Sequence, residues 1–216
     1  MEADFWHNRW ERGEIGFHEG KANPLLVAHF KKLHLKNGCR VFIPLCGKTL
    51  DIAWLLAGGY QVVGAELSKR AIDELFQSLC VQPTIVQTGA LMHYSANDID
   101  IYVGDIFDLT TQTLGEVDAI YDRAAIVALP AETRKHYAAH LMNITHSAPQ
   151  LVIAYEYDQS LMNGPPFSVS EVELQRHYGD SYSLAALETK EVEGAMKNKT
   201  AATETIWLLK TLADQS

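Results

Sequence analysis

Residues 41–68 read VFIPLCGKTLDIAWLLAGGYQVVGAELS, and the fold is decided by how the tight turn inside this stretch is read. Val41 to Leu45 is an unbroken apolar run, the mark of a buried strand. Leu50, Ala53, Trp54 and Ala57 then fall at i, i+3, i+4 and i+7, a helical face that Gly58-Gly59 brings to an end. Gln61 to Leu67 is the next strand. Ser68 caps a helix that carries Ile72, Leu75, Phe76 and Leu79 on one face. Between the first strand and the first helix lies Cys46-Gly47-Lys48-Thr49. The Gly-Lys-Thr triplet invites a phosphate-loop reading, but that loop needs a glycine where this chain has Phe42, so the backbone cannot wrap a phosphate. The dinucleotide fingerprint fails as well, because Gly47 stands alone. There remain a strand, a turn with one glycine, a helix, and Glu66 at the end of the next strand, nineteen residues past Gly47. An acid at about this spacing meets ribose hydroxyls. Lys48 reads as a solvated residue of the first helical turn. A turn with few glycines and no aimed cation suits a nucleoside without phosphate, and S-adenosylmethionine is such a ligand.

Outward from this stretch the alternation continues. Ile99 to Gly104 (IDIYVG) and Val117 to Asp122 (VDAIYD) read as strands, and Pro130 opens a helix running to about His146. Leu151 to Tyr155 (LVIAY) is almost uniformly apolar, as a central parallel strand covered on both faces should be. Tyr182 to Val192 and Thr203 to Lys210 form two successive strands. This order predicts a doubly wound parallel sheet with helices on both faces. Its ligands bind beyond the carboxyl ends of the strands, at Leu45 to Gly47, Glu66, Asp105-Ile106 and Asp122-Arg123. Residues 1–39 precede the sheet and offer an aromatic helix (Phe5, Trp6, Trp10), a glycine-containing turn and a helix from near Pro24, a segment suited to covering the ligand end.

The chain has 216 residues, enough for one domain, residues 1–216, with a proper core. Its 27 acidic and 18 basic residues give a net charge of −9, with no basic footprint for nucleic acid. Three cysteines, odd in number and irregularly placed, argue for a reducing compartment rather than a disulfide framework. The N-terminus is charged and aromatic, unlike a signal peptide, and no apolar run is long enough for a membrane span. The expectation is a cytoplasmic protein, monomeric, with no membrane or nucleic-acid partner. His136 and His140 lie at i, i+4, but without a glutamate at position 137 they do not make a metalloprotease motif, and no metal is expected.

The blocks WHNRWERGEIGFHE, RVFIPLCGK, VVGAELS, IFDL, YDRAAIVA and GPPF occur here between residues 6 and 167. In their order the chain resembles the thiopurine S-methyltransferases, and in its short leading segment their bacterial members. The resemblance implies a Rossmann-like class I methyltransferase fold: a mostly parallel seven-stranded sheet with an antiparallel last strand, helices on both faces and an N-terminal helical cover. It implies S-adenosylmethionine as co-substrate and a small-molecule aromatic or heterocyclic thiol, such as a thiopurine, as acceptor, with selenium and tellurium species as further acceptors. By the same resemblance Trp10 lies against the cofactor, Leu45 lines its site, Glu66 holds the ribose and Asp105-Ile106 border the adenine. Arg123 sits by cofactor and acceptor as the catalytic residue, and Phe17 faces the acceptor, with the Pro165-Pro166-Phe167 corner on the same side. The match loosens at residues 157–164 (YDQSLMNG).

From the residues alone, each assignment has a plainer alternative. Trp6 and Trp10 suit core packing on an amphipathic helix; Glu66 suits a helix start; Arg123 suits a surface pair with Asp122 or Asp105; Phe17 suits loop packing. The rival to an enzyme is a non-catalytic S-adenosylmethionine-binding module.

Overall fold

The structure is a computed structural model that describes residues 3–16, 18–192 and 200–212. The chain divides into two compact units, residues 1–120 and 121–216.

The first unit opens with α1 (Ala3–Arg12) and α2 (Pro24–His29). The Asn23 side chain caps α2 by accepting from the N–H groups of Leu25 and Leu26, and Pro24 fills the first helical position, where its missing N–H costs nothing. The Asn23 N–H donates in turn to the buried Asp51 carboxylate at 2.7 Å. The sheet begins with β1 (Arg40–Pro44), followed by α3 (Leu50–Ala57), β2 (Gln61–Glu66) and α4 (Lys69–Ser78). β1 and β2 are parallel, and β2 also pairs in parallel with β5 (Ile99–Val103). Thr49 caps α3 and Ser68 caps α4 through their side chains.

Two readings of this unit are corrected. The helix face proposed for α3 is wrong: its buried residues are Asp51, Ile52 and Leu55, while Ala57 is exposed. LDIAWLLA is apolar nearly all round, so its spacing selects no face, and Trp54 is half-covered by an edge contact with Phe30 at 5.6 Å. Among the described residues the sheet has nine strands rather than seven, because β3 (Thr84–Thr88) and β4 (Leu91–Ala96) form an antiparallel hairpin, with β4 antiparallel to β5. The hairpin gave no periodic signal because β3 is exposed on both faces, including Ile85 and Val86.

A short helix, α5 (Thr111–Leu114), precedes β6 (Ala119–Arg123). The first residues of β6 pair in parallel with β1, Val41 opposite Ala119 and Phe42 opposite Ile120. The second unit carries α6 (Ala131–Ile144), β7 (Gln150–Tyr157), α7 (Glu171–Tyr178), β8 (Tyr182–Glu191) and β9 (Ala202–Thr211). Pro130 is the residue just before α6. β9 runs antiparallel to both β7 and β8, as the resemblance implied for the last strand. Strand order is β3-β4-β5-β2-β1-β6-β7-β9-β8. Helix α7 has a cap readable in the sequence: Ser170 accepts from the Glu173 N–H, the Ser-x-x-Glu pattern that opens helices.

Asp122, near the end of β6, is wholly buried. Its Oδ1 accepts the Ile126 N–H at 3.0 Å and its Oδ2 the Tyr137 hydroxyl at 2.7 Å. Burial pushes its carboxyl from 3.8 up to about 6, with the bonds to Ile126, Tyr137 and Ala125 opposing only in part. Between those two values the folded chain holds a proton that the unfolded chain has released. This contribution to stability is therefore complete below the unfolded value and lost as pH rises through the folded one. A shift of this size is worth ~3 kcal/mol. Asp122→Asn does not titrate, so the advantage of wild type over the variant should shrink by up to ~3 kcal/mol between about pH 4 and 7 in denaturant titrations. A gap that stays constant with pH would show that this carboxyl is not shifted.

Candidate functional site

The site in the first unit is built where β1 and β2 end. Leu45 follows β1 with φ 47°, a left-handed backbone that a leucine adopts only under constraint, and Gly47 follows with φ 53°. The turn is held by the Cys46 N–H donating to the Ala65 carbonyl of β2 at 2.9 Å. Gly47 is also where another side chain comes close: a Cβ there would lie 3.2 Å from the Trp10 ring. Trp10, from α1, is thus packed onto the turn and is only 4% exposed.

Glu66 ends β2 with its side chain buried at 6% exposure. Its Oε2 accepts the Gly47 N–H and its Oε1 the Ser68 N–H, each at 2.8 Å. One carboxylate thereby ties the turn after β1 to the start of α4. The spacing of Glu66 raises the expectation of a ligand role, whereas this structural role could not be read from it, since backbone N–H donors leave no mark on residue type. Burial raises the Glu66 pKa, and the N–H bonds from Ser68, Gly47 and Leu67 offset that only partly. A carboxylate has about four lone-pair sites, so acceptor capacity is left over for a ligand. Burial likewise raises the Cys46 thiol well above its ordinary value, and the Glu66 charge pushes the same way.

Asp105 and Ile106 follow β5. The Gly104 N–H donates to the Glu66 main-chain carbonyl at 2.9 Å, which sets Asp105 one residue from that contact. Asp105 is exposed, with Oδ1 accepting from the Phe107 N–H at 3.0 Å, while Ile106 is buried. The structure thus brings Trp10, Leu45, Glu66, Asp105 and Ile106 to the carboxyl ends of three adjacent strands. Trp6 is half-buried on α1, its ring meeting Phe5 edge-on at 5.3 Å. Phe17 lies outside the described residues.

Lys48 is not the solvated helical residue that the sequence suggests. It precedes the Thr49 cap, and its Nζ pairs with Glu74 Oε2 of α4 at 2.7 Å, while Arg70 Nε holds the other oxygen at 2.8 Å. Hydrogen bonds from Lys48 and Arg70 keep the Glu74 carboxyl below its usual range. The lysine of the Gly-Lys-Thr triplet is therefore committed to a helix rather than offered to a phosphate.

In the second unit Arg123 closes β6, half-buried, and Ala124 follows with φ 61°. Asp122 is no surface partner for it, being buried with its oxygens on Ile126 and Tyr137. His136 is exposed on α6. Among the described residues, no group of three or more His, Cys, Asp or Glu is placed to hold a metal ion, and no helix is long and apolar enough to cross a membrane.

The donor set of the first unit fits S-adenosylmethionine. A carboxylate with acceptor capacity to spare stands at the end of β2, an indole wall lies on the turn, and the lysine of the turn is already paired with Glu74. Comparison with known proteins agrees. The thiopurine S-methyltransferase family matches residues 1–211. The thiopurine S-methyltransferase of Xanthobacter autotrophicus is 54% identical over 210 residues, covering 97% of this chain and 99% of its own length. That of Teredinibacter turnerae is 50% identical over 209 residues, covering 97% of each. Among solved structures, Burkholderia thailandensis 1,6-didemethyltoxoflavin-N1-methyltransferase, with 1,6-didemethyltoxoflavin and S-adenosylhomocysteine bound, is similar at a TM-score of 0.66 and 15% identity, covering 97% of this chain and 87% of that one. At that identity the likeness establishes the shared fold.

Glu66→Gln should lower affinity for S-adenosylhomocysteine roughly ten- to a hundredfold, the worth of a charge-assisted hydrogen bond. The lost N–H bond and the relief of a buried charge oppose each other, so Tm should move little. Calorimetry giving wild-type affinity for the variant would remove Glu66 from ribose binding.

Proposed function

The chain belongs to the thiopurine S-methyltransferase family, and from that premise we propose how its residues divide the work of an S-adenosylmethionine-dependent S-methyltransferase acting on aromatic and heterocyclic thiols. The observation that carries the reading is the buried Glu66 carboxylate, fixed by two N–H bonds at 2.8 Å beside an indole-covered turn. S-adenosylmethionine supplies an electrophilic methyl on a sulfonium. Glu66 accepts from the ribose hydroxyls, Trp10 and Leu45 wall the site, and Asp105 and Ile106 border the adenine. The Trp10 face, turned to a nearby sulfonium, also gains from cation–π attraction.

On the acceptor side we assign Arg123, Phe17 and the Pro165-Pro166-Phe167 corner, following the family blocks YDRAAIVA and GPPF. An acidic heterocyclic thiol is already ionised near neutral pH, so the chain needs no strong general base. Its residues contribute alignment and exclusion of water. Arg123 is assigned the catalytic part because its charge favours the anionic sulfur nucleophile. Selenium and tellurium nucleophiles, more polarisable than sulfur, are assigned as further acceptors on the same logic. The rest of the reading is a single catalytic domain over residues 1–216, with residues 1–39 as its cover, working as a monomer in the cytoplasm with small-molecule substrates and no nucleic-acid partner.

The test is to incubate the chain with S-adenosylmethionine and a panel of aromatic thiols and follow methylated product by mass spectrometry. Turnover on heterocyclic thiols is expected, and tight binding of S-adenosylhomocysteine without turnover on any acceptor would overturn the reading. Arg123→Lys keeps the charge and loses the planar fork. It should lower kcat/KM for an anionic thiol by roughly tenfold or more while cofactor affinity falls less. Equal losses in both would move Arg123 to the cofactor, and no loss in either would remove it from the site.

A further inference from the structure

The Gly164-Pro165-Pro166-Phe167 corner is held from two directions within the second unit. From one side, the Phe167 N–H donates to the Val127 carbonyl at 2.6 Å, and Val127 belongs to the 3-10 turn Ile126–Ala128 that follows Arg123 and Ala124. From the other, the Tyr157 hydroxyl donates to the Pro166 carbonyl at 2.6 Å, and the Ser168 N–H to Gln159 Oε1 at 2.8 Å. The ring of Phe167 lies close over Gly164, where a Cβ would stand 2.5 Å from it, so a glycine with φ 72° is required there.

Against that same ring lies the guanidinium of Arg134, 5.8 Å from the ring centroid. Arg134 is 5% exposed and each nitrogen of its fork is engaged. Nε and Nη2 donate to the two oxygens of Glu173 at 2.6 and 3.0 Å, and Nη1 donates to the Leu129 carbonyl at 2.8 Å. An ion pair with a buried Arg134 and a half-buried Glu173 is seldom the most effective way to stabilise a core, since well-packed apolar residues serve as well or better. What an apolar pair cannot do is hold a flat cation at a fixed angle against an aromatic ring. A lysine cannot do it either, because its ammonium has no plane to orient. The fork fixes the guanidinium, the guanidinium lies against the Phe167 ring at 5.8 Å, and that ring belongs to the corner that the family blocks place on the acceptor side.

We propose that Arg134, locked by Glu173 and Leu129, is a positioning residue for acceptor recognition, fixing the Phe167 corner and so the width of thiol ring the enzyme accepts. The proposal rests on the reading above that this corner faces the acceptor. It separates two duties of the fold: residues of the first unit bind the cofactor, while this clamp, more than a hundred residues past Trp10 in the chain, tunes the choice of thiol.

The experiment uses the full chain and two readouts. Hydrogen exchange across residues 157–169, measured without substrate, reports the corner itself. Steady-state kinetics with a one-ring and a two-ring aromatic thiol, together with a titration of S-adenosylhomocysteine, report recognition. In Arg134→Lys, exchange at Phe167 should rise and KM for the two-ring thiol should rise by about tenfold, with kcat and S-adenosylhomocysteine affinity within about twofold of wild type. Combining it with Phe167→Leu should add little beyond the worse single change, as expected for residues acting through one contact. Glu173→Gln, which keeps one acceptor oxygen and a near-identical shape, should shift the same quantities by less and stands in if Arg134→Lys does not fold. Unchanged exchange at Phe167 overturns the clamp. Raised exchange with unchanged acceptor KM, or a loss of cofactor affinity equal to the loss of acceptor, overturns its part in recognition. Absence of turnover by wild type overturns the functional reading instead, and is told apart because exchange is read without any thiol.

Discussion

The first unit depends on one carboxylate placed where carboxylates are costly. Glu66 is buried, and its charge is held by the N–H groups of Gly47 and Ser68 at 2.8 Å. Hydrogen bonds to an ionised group contribute about 1.5–3 kcal/mol each, yet the Glu66 pKa stays raised. The bonds therefore leave the charge under-compensated. In the ribose role proposed for Glu66 that deficit is useful, because hydroxyl donors would complete the shell and gain more than they would against a fully satisfied acid. The same bonds fix the turn after β1 relative to the start of α4, so one group sets the local shape of the candidate site.

A second constraint is stored in the backbone at two strand ends. Leu45 at φ 47° and Ala124 at φ 61° end β1 and β6 in a conformation that costs a non-glycine residue about 1–3 kcal/mol. Each is framed by bonds that impose it. The Cys46 N–H reaches back to Ala65 just after Leu45, and Asp122 catches the Ile126 N–H just after Ala124. Both lie at the carboxyl ends of strands, where a doubly wound sheet presents its ligands. A leucine in place of the easier glycine also gives the turn a side chain, and a half-buried one.

How much of this could be read from the sequence follows from where each signal resides. The strands of the central sheet were legible because strands covered on both faces are apolar through their middle, as residues 41–45, 62–65 and 151–155 are. The hairpin of β3 and β4 was not, because β3 is exposed on both faces and neither hides nor alternates. The face of α3 was misread because an all-apolar helix has no stripe to find. The distance from Gly47 to Glu66 marked this acid as a candidate, and its structural duty was not legible, because its partners are backbone amides. Arg134 and Glu173 lie 39 residues apart and meet only through α6 and α7, so no local pattern announced them, although the Ser170 cap that starts α7 was there to be read.

The Gly-Lys-Thr triplet shows how a turn can keep the letters of one chemistry while performing another. A phosphate loop works by aiming backbone N–H groups and a lysine at an anion. Here the Gly47 N–H is already donated to Glu66, and the Lys48 ammonium is already paired with Glu74. Both positive features of the turn are already spent, and what remains on offer is the acceptor capacity of a buried carboxylate. The sign of the site is thereby reversed. An anionic ligand would meet an acid, whereas hydroxyl donors and a sulfonium cation are both drawn to it. The ligand class is therefore set less by the residues of the turn than by where their donors have been spent, a property that exists only once β2 and α4 have folded against it.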